Sequence, residues 1–199
     1  MTFNYGAMNS GKSDSLIKTA YNYSEQGLSI ATIKPSIDTK DLDIVARGGY
    51  RRSVDIVATP DMNLREAVQL HMSEQALIAL HAVLVDESQF LQPEQIDDLY
   101  EVAKLDDISV MAYGLRTDFR SVVFPGSKRL FEIADAIEKL PTMCRCNSQA
   151  EFNCRKIGGA YVFEGDQVAI DGEEATYDSL CGTCYLTEQA KSLAETTTP

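Results

Sequence analysis

The chain has 199 residues, 44% hydrophobic and 24% charged, the balance of one substantial globular domain with room for a small appendage. Its formal net charge of −12 excludes nucleic-acid binding through a broad basic surface, because neutralising phosphates takes clustered Lys and Arg, but leaves a single nucleotide open. No apolar run is long enough to span a bilayer and no basic segment leads an apolar core at the N-terminus, so neither a membrane span nor a signal peptide is expected, and a cytosolic location is.

The first element, Thr2 to Tyr5, is a short strand-like run. It leads into Gly6-Ala7-Met8-Asn9-Ser10-Gly11-Lys12-Ser13, which satisfies the phosphate-loop pattern G-x-x-x-x-G-K-[ST]. Glycines let the backbone curl so that successive N–H groups point at phosphate oxygens, and the helix behind adds the positive end of its dipole. Lys12 is expected on the β- and γ-phosphates and the Ser13 hydroxyl on Mg²⁺. Ser13 to Gln26 carries Leu16, Ile17, Ala20 and Tyr21 at helical spacing and stops at Gly27. Ser29 to Lys34 reads as a buried strand. Strand, phosphate loop, helix and strand open a three-layer parallel α/β sheet.

From Pro35 to Arg52 the pattern dissolves into a long polar loop, either functional or simply solvated. Ser53 to Ala58 alternates as a short strand, and Asn63 to Leu80 reads as a helix with Asn63 at its N-cap. His71 and His81 lack metal-ligand spacing and read as structural. Ala82-Val83-Leu84-Val85 is a central buried strand ending in Asp86-Glu87. Ligands in open α/β sheets bind at the carboxyl ends of strands, so Asp86 is expected on the metal side and Glu87 is free to act elsewhere. Pro93 to Lys104 is a helix and Ile108 to Tyr113 a further strand. Arg116 to Ser127 is a loop whose Phe119 and Phe124 are either core or part of a lid over a base and phosphates. A helix over Lys128 to Asp135 and a last strand over Ala136 to Leu140 close this part.

All five cysteines lie between Cys144 and Cys184. Clustering at one end of a cytosolic-looking chain favours a metal site over a disulfide framework. Cys144-x-Cys146 and Cys181-x-x-Cys184, separated by a β-like but strand-poor stretch, are similar to a closed Cys₄ zinc ribbon of structural type. Cys154 is left over as a small buried residue. The zinc is expected to anchor both ends of the intervening loop and hold it over the phosphate-loop domain.

Together these motifs resemble the thymidine kinase family shared by bacteria, large DNA viruses and animal cytosol, and in particular its enterobacterial branch. The resemblance is carried by the phosphate loop, Val85-Asp86-Glu87-Ser88-Gln89-Phe90, the stretch Tyr113 to Arg120, Phe124 with Gly126-Ser127, and the paired cysteines. It implies a RecA-like P-loop domain over 1–140 and a small zinc-bearing domain over 141–199, with transfer of the γ-phosphoryl of ATP to the 5′-hydroxyl of thymidine. Glu87 matches the family's base, Asp86 with Ser13 the Mg²⁺ side, and Arg47 an arginine near the phosphates. Met8, Asp38, Phe90, Leu115, Phe119, Phe124, Val168, Ile170 and Tyr177 match residues around the nucleoside, Tyr177 through its backbone, and Asn153 stands at a position near the base. Members are commonly tetramers, and many are inhibited by thymidine triphosphate. Lys40, Val123, Asn153 and Glu173 depart from the common family residues, as does Ser88 beside the acidic pair. The rivals are an ATPase, which leaves the lid and zinc-anchored loop without a use, and a zinc-ribbon binding module, against which the acidic charge and the pair Asp86-Glu87 count.

Overall fold

Short runs, the central one Ala82-Val83-Leu84-Val85 wholly apolar and buried and the edge one Ala136-Ile137-Glu138-Lys139 exposed, become the strands of a six-stranded parallel sheet. The structure is a computed structural model and describes residues 1–37, 43–167 and 175–196. In chain order its elements are β1 (Thr2–Tyr5), α1 (Lys12–Glu25), β2 (Ile30–Pro35), β3 (Asp43–Val45), β4 (Arg51–Ser53), β5 (Ile56–Ala58), α2 (Leu64–Glu74) and β6 (Ala82–Val85). After a 3₁₀ turn at Ser88–Phe90 come α3 (Pro93–Leu105), β7 (Ser109–Gly114), α4 (Pro125–Ile133) and β8 (Ala136–Lys139). The last part holds β9 (Phe152–Ile157), β10 (Ala160–Val162), β11 (Ala175–Leu180) and α5 (Gly182–Thr196).

The main sheet has the order β5-β2-β6-β7-β1-β8, all pairs parallel. Helices cover both faces, which is why β6 is buried at every position and reads as an unbroken apolar run. Val83 and Val85 pack with Leu64 and Val68 of α2 and Ile96 and Leu99 of α3, while Ala82 and Leu84 face Leu16 and Ala20 of α1. The period-two alternation thus feeds two cores at once. Strand β7 lies between β1 and β6, so the phosphate loop and the acidic pair emerge from strands about 10 Å apart.

Several expectations need correction. The segment expected as one strand from Ser53 to Ala58 is split: β4 pairs antiparallel with β3 in a hairpin, and β5 joins the main sheet. The break is made by Asp55, whose carboxylate accepts from the Thr32 N–H and hydroxyl, both at 2.7 Å. The loop expected up to Arg52 therefore contains most of a hairpin. Helix α2 is capped by Asn63, whose side chain accepts the Glu66 N–H at 2.8 Å, but ends at Glu74 rather than Leu80. Ala76 turns left-handed there (φ 49°), and the Leu77 N–H closes on the Met72 carbonyl. Helix α4 starts at Pro125, three residues before the expected Lys128, because Pro suits a first helical position. The stretch between the cysteine pairs is not strand-poor: it forms a three-stranded antiparallel sheet, β10-β9-β11, followed by α5, which sequence reading missed. Cys144, Ala150, Cys154, Leu180, Cys181 and Tyr185 make its own small core.

Candidate active site

The phosphate loop leaves β1 and turns through two left-handed residues, Asn9 (φ 68°) and Gly11 (φ 75°), before α1 begins. At Gly6 the loop passes so close to the chain after β8 that a Cβ would stand 2.7 Å from the Leu140 carbonyl oxygen, so only glycine fits. Lys12 is buried, and its Nζ donates to the carbonyls of Ala7 (3.1 Å) and Gly6 (3.5 Å). The loop therefore curls around its own lysine. Burial pulls the Lys12 ammonium below its ordinary range, opposed by the charges of Glu87 and Asp86, while Arg47 pulls the same way as burial. Arg47 lies in the exposed tip between β3 and β4, which packs beside the first turn of α1: a Cβ on Gly48 would meet Asp14 Oδ1 at 3.6 Å.

Facing the loop, Ser13 Oγ donates to both Asp86 oxygens, at 3.3 and 3.4 Å. Asp86 is buried, and desolvation, then the neighbouring Glu87 charge, push its carboxyl up to about 7. A hydroxyl and a carboxylate that repels its neighbour are the donor set a hard cation needs, so the residues fit Mg²⁺. Glu87 itself has a left-handed backbone (φ 48°, ψ 38°), the conformation that turns the chain out of β6 into the 3₁₀ turn. Gln89 Nε2 donates to Glu87 Oε2 at 2.5 Å.

The segment after β7 is tightly braced. Thr117 bridges to Val123, and the buried Asp118 carboxylate accepts from the N–H groups of Arg120 and Val122 (2.9 Å each) and from the Arg120 guanidinium. Phe124 meets Phe90 edge to face at 5.6 Å. Phe119 is 1% exposed beneath the Arg155 guanidinium, 3.9 Å from its ring centre. Arg155 also donates to the Tyr177 hydroxyl and to the carbonyls of Asp166 and Gln167, which ties the start of the loop after β10 to β9 and β11. Phe119 and Phe124 are thus both buried and part of the braced segment.

The sulfur atoms of Cys144, Cys146, Cys181 and Cys184 lie within 4.8 Å of one another, and none is in a disulfide. The first pair sits in a turn closed by Met143–Gln149 bridging, the second at the start of α5. The Ser148 hydroxyl pulls Cys146 down to about 6, while hydrogen bonding with Cys146 and Cys144 pushes Cys184 up to about 12. Four thiols so close cannot all ionise without a cation, and four thiolates suit Zn²⁺ in a closed, structural site. Cys154 is buried at 1% exposure, and burial raises its thiol to about 12.

Three side chains join this cysteine-bearing unit to the phosphate loop. Asn153 Oδ1 accepts the Met8 N–H at 2.7 Å, Ser179 Oγ donates to the Met8 carbonyl, and Thr142 Oγ1 donates to the Asn9 carbonyl at 3.2 Å. Asn153 Nδ2 reaches the Thr117 carbonyl at 3.0 Å, and the Tyr185 hydroxyl the Phe119 carbonyl at 3.0 Å.

Of the residues singled out from sequence, Lys12, Ser13, Asp86 and Glu87 converge, and Phe90, Leu115 and Phe124 line up through Gln89 and the Phe90–Phe124 contact. Asp38, Val168 and Ile170, with Lys40 and Glu173, lie outside the described residues. Sequence reading missed Gln89, Ser179 and Arg155. Gln89 sits two residues beyond Glu87 within the Val85–Phe90 motif, a signal that was present; Ser179 and Arg155 carry none.

The sequence model of the thymidine kinase family matches residues 1–185. Among curated proteins the chain is similar to the thymidine kinase of Enterobacteria phage T4, 41% identical over 184 residues, which cover 91% of this chain and 92% of the relative. It is 37% identical over 186 residues to that of Streptococcus agalactiae serotype Ia, covering 92% and 95%. To that of Shewanella oneidensis it is 40% identical over 182 residues, covering 90% and 92%.

Proposed function

The chain belongs to the thymidine kinase family, and from that premise we propose that it transfers the γ-phosphoryl of ATP to the 5′-hydroxyl of thymidine, with deoxyuridine as a second acceptor, in nucleotide salvage. The observation that carries this reading is the convergence of Lys12, Ser13, Asp86 and Glu87 at the ends of β1 and β6. Lys12 leaves the carbonyls of Gly6 and Ala7 to take the β,γ-phosphates, and the loop N–H groups hold the rest of the chain of charges. Ser13 and Asp86 would hold Mg²⁺, which when bound with ATP neutralises charge on the phosphate oxygens. Glu87 accepts the proton of the 5′-hydroxyl as its oxygen bonds to the γ-phosphorus and the bond to the β,γ-bridging oxygen breaks. Arg47, on its exposed tip, supplies charge to the phosphates.

Met8, Phe90, Leu115, Phe119 and Phe124 wall the nucleoside, with Asp38, Val168 and Ile170 contributing from outside the described residues. Asn153 borders the base, and the Tyr177 backbone reads its edge. A phosphotransferase domain at 1–140 and a zinc-bearing domain at 141–199 divide the work. We further read the enzyme as a cytoplasmic homotetramer inhibited by dTTP, without nucleic-acid or membrane partners; among the described residues no helix is long and apolar enough to cross a membrane. The test is ADP release from ATP and Mg²⁺ with each nucleoside in turn. Thymidine-dependent turnover, weak with deoxycytidine and purine nucleosides, is expected; equal ADP release without nucleoside overturns the reading in favour of an ATPase.

A further inference from the structure

Gln89 is 1% exposed, and both ends of its amide are used. Its Oε1 accepts the backbone N–H of Leu115 at 2.9 Å and its Nε2 donates to Glu87 Oε2 at 2.5 Å. The chemistry of the two partners decides this orientation: a backbone N–H only donates and an ionised carboxylate only accepts, so a flipped amide would face two wrong partners. The site is built to hold the amide in place. A Cβ on Gly114 would come within 2.9 Å of Gln89 Oε1, so a side chain there would displace it. Leu115 is itself pinned from its other side by Ser127 Oγ, which donates to its carbonyl.

We propose that Gln89 is a positioning residue for phosphoryl transfer: it fixes the Glu87 carboxylate against the Leu115 main chain, so that Glu87 Oε1 is left to receive the acceptor hydroxyl. This rests on the reading of Glu87 as the base. A half-buried carboxylate on a left-handed backbone otherwise samples several rotamers, and a misplacement of about 1 Å in such a group costs on the order of 10²-fold in rate. The same amide ties the base to the first residue of the braced segment, so the base and the wall of the nucleoside pocket move as one body.

A double-mutant cycle on kcat separates positioning from mere structural support. Gln89→Met, of similar shape and without hydrogen-bonding groups, is expected to lower kcat about 10- to 100-fold while the ATP dissociation constant stays within about twofold. In a Glu87→Gln background, where there is no base to aim, the same change is expected to lower kcat by less than about threefold. Multiplicative losses in the two backgrounds would overturn the proposal and leave Gln89 a structural residue. Gln89→Glu serves as the second variant: it keeps an acceptor for the Leu115 N–H but presents a carboxylate to a carboxylate, so it too is expected to lose turnover. Wild-type kcat in Gln89→Glu would overturn the proposal as well. Glu87→Gln alone turning over near the wild-type rate would sink the base reading and this inference with it, an outcome distinct from a failed cycle.

Discussion

Asn153 accepts the backbone N–H of Met8 at 2.7 Å, so a strand of the cysteine-bearing unit holds the middle of the phosphate loop. Asn153 is buried, and its Nδ2 donates to the Thr117 carbonyl. Asn153→Ala leaves both backbone groups without partners, which costs roughly 1–3 kcal/mol each when burial persists. A lower melting temperature and an ATP KM raised several-fold are the expected outcomes. Steady-state kinetics with both substrates checks this: a change confined to the thymidine KM would mean that Asn153 serves the nucleoside pocket and not the phosphate loop.

Glu87→Gln keeps the size of the side chain and removes its ability to take a proton. General-base catalysis contributes on the order of 10²–10⁴-fold, so kcat should fall by that factor with ATP binding largely intact. Turnover assays paired with calorimetric titration of ATP read the two quantities separately.

A metal held by Cys144, Cys146, Cys181 and Cys184 is expected to support the active site from a distance. Ser179, two residues before Cys181, holds the Met8 carbonyl, and Tyr185, next after Cys184, holds the Phe119 carbonyl. Releasing the cysteines frees the ends of both attachments. Zinc analysis should find the metal bound stoichiometrically, and its removal should lower the melting temperature and turnover together. Full activity and an unchanged melt after zinc loss would contradict this coupling.

Stability in magnesium-free buffer should depend on pH through Asp86. Its carboxyl ionises at about 7 when folded, against an ordinary value of 3.8, so between about pH 4 and 7 the folded chain holds a proton that the unfolded chain has released. Stability from this group therefore falls as pH rises through that window, and the penalty is complete above about 7. Asp86→Asn should flatten the slope and stabilise the magnesium-free protein at alkaline pH while abolishing turnover. Melting curves across pH without chelator, so that the cysteine site stays intact, would show it; an unchanged slope in Asp86→Asn would refute the assignment.

Legibility varied with the kind of interaction. Strand β6 was readable because both its faces are dry and every residue had to be apolar. The N-cap at Asn63 was readable because capping is local chemistry between neighbours. The β3–β4 hairpin was not: Arg51, Arg52 and Ser53 are polar and largely exposed, so no alternation marks a face. The division of Ser53 to Ala58 into two strands depends on Asp55 reaching Thr32, more than twenty positions earlier, and no local pattern announces such a contact. Phe119 and Phe124 remained either core or lid in the sequence because burial is decided by Arg155 and Phe90, which lie far away along the chain.

By itself the sequence determined the parallel α/β class, the phosphate-loop motif, the acidic pair at the end of β6 and the two cysteine pairs that cluster as one candidate metal site. These follow from local spacing: the curl of a glycine-bearing loop, the period of a buried strand and the reach of two thiols in one turn are all set within a few residues. Only the tertiary structure decided that β7 separates the loop from the acids, that Asn153 and Ser179 clamp Met8, and that Gln89 joins Glu87 to Leu115. Those are pairings of buried polar groups distant in sequence. Their partners are chosen by which donors and acceptors the packed sheets leave facing one another, and that choice exists only once the chain has folded.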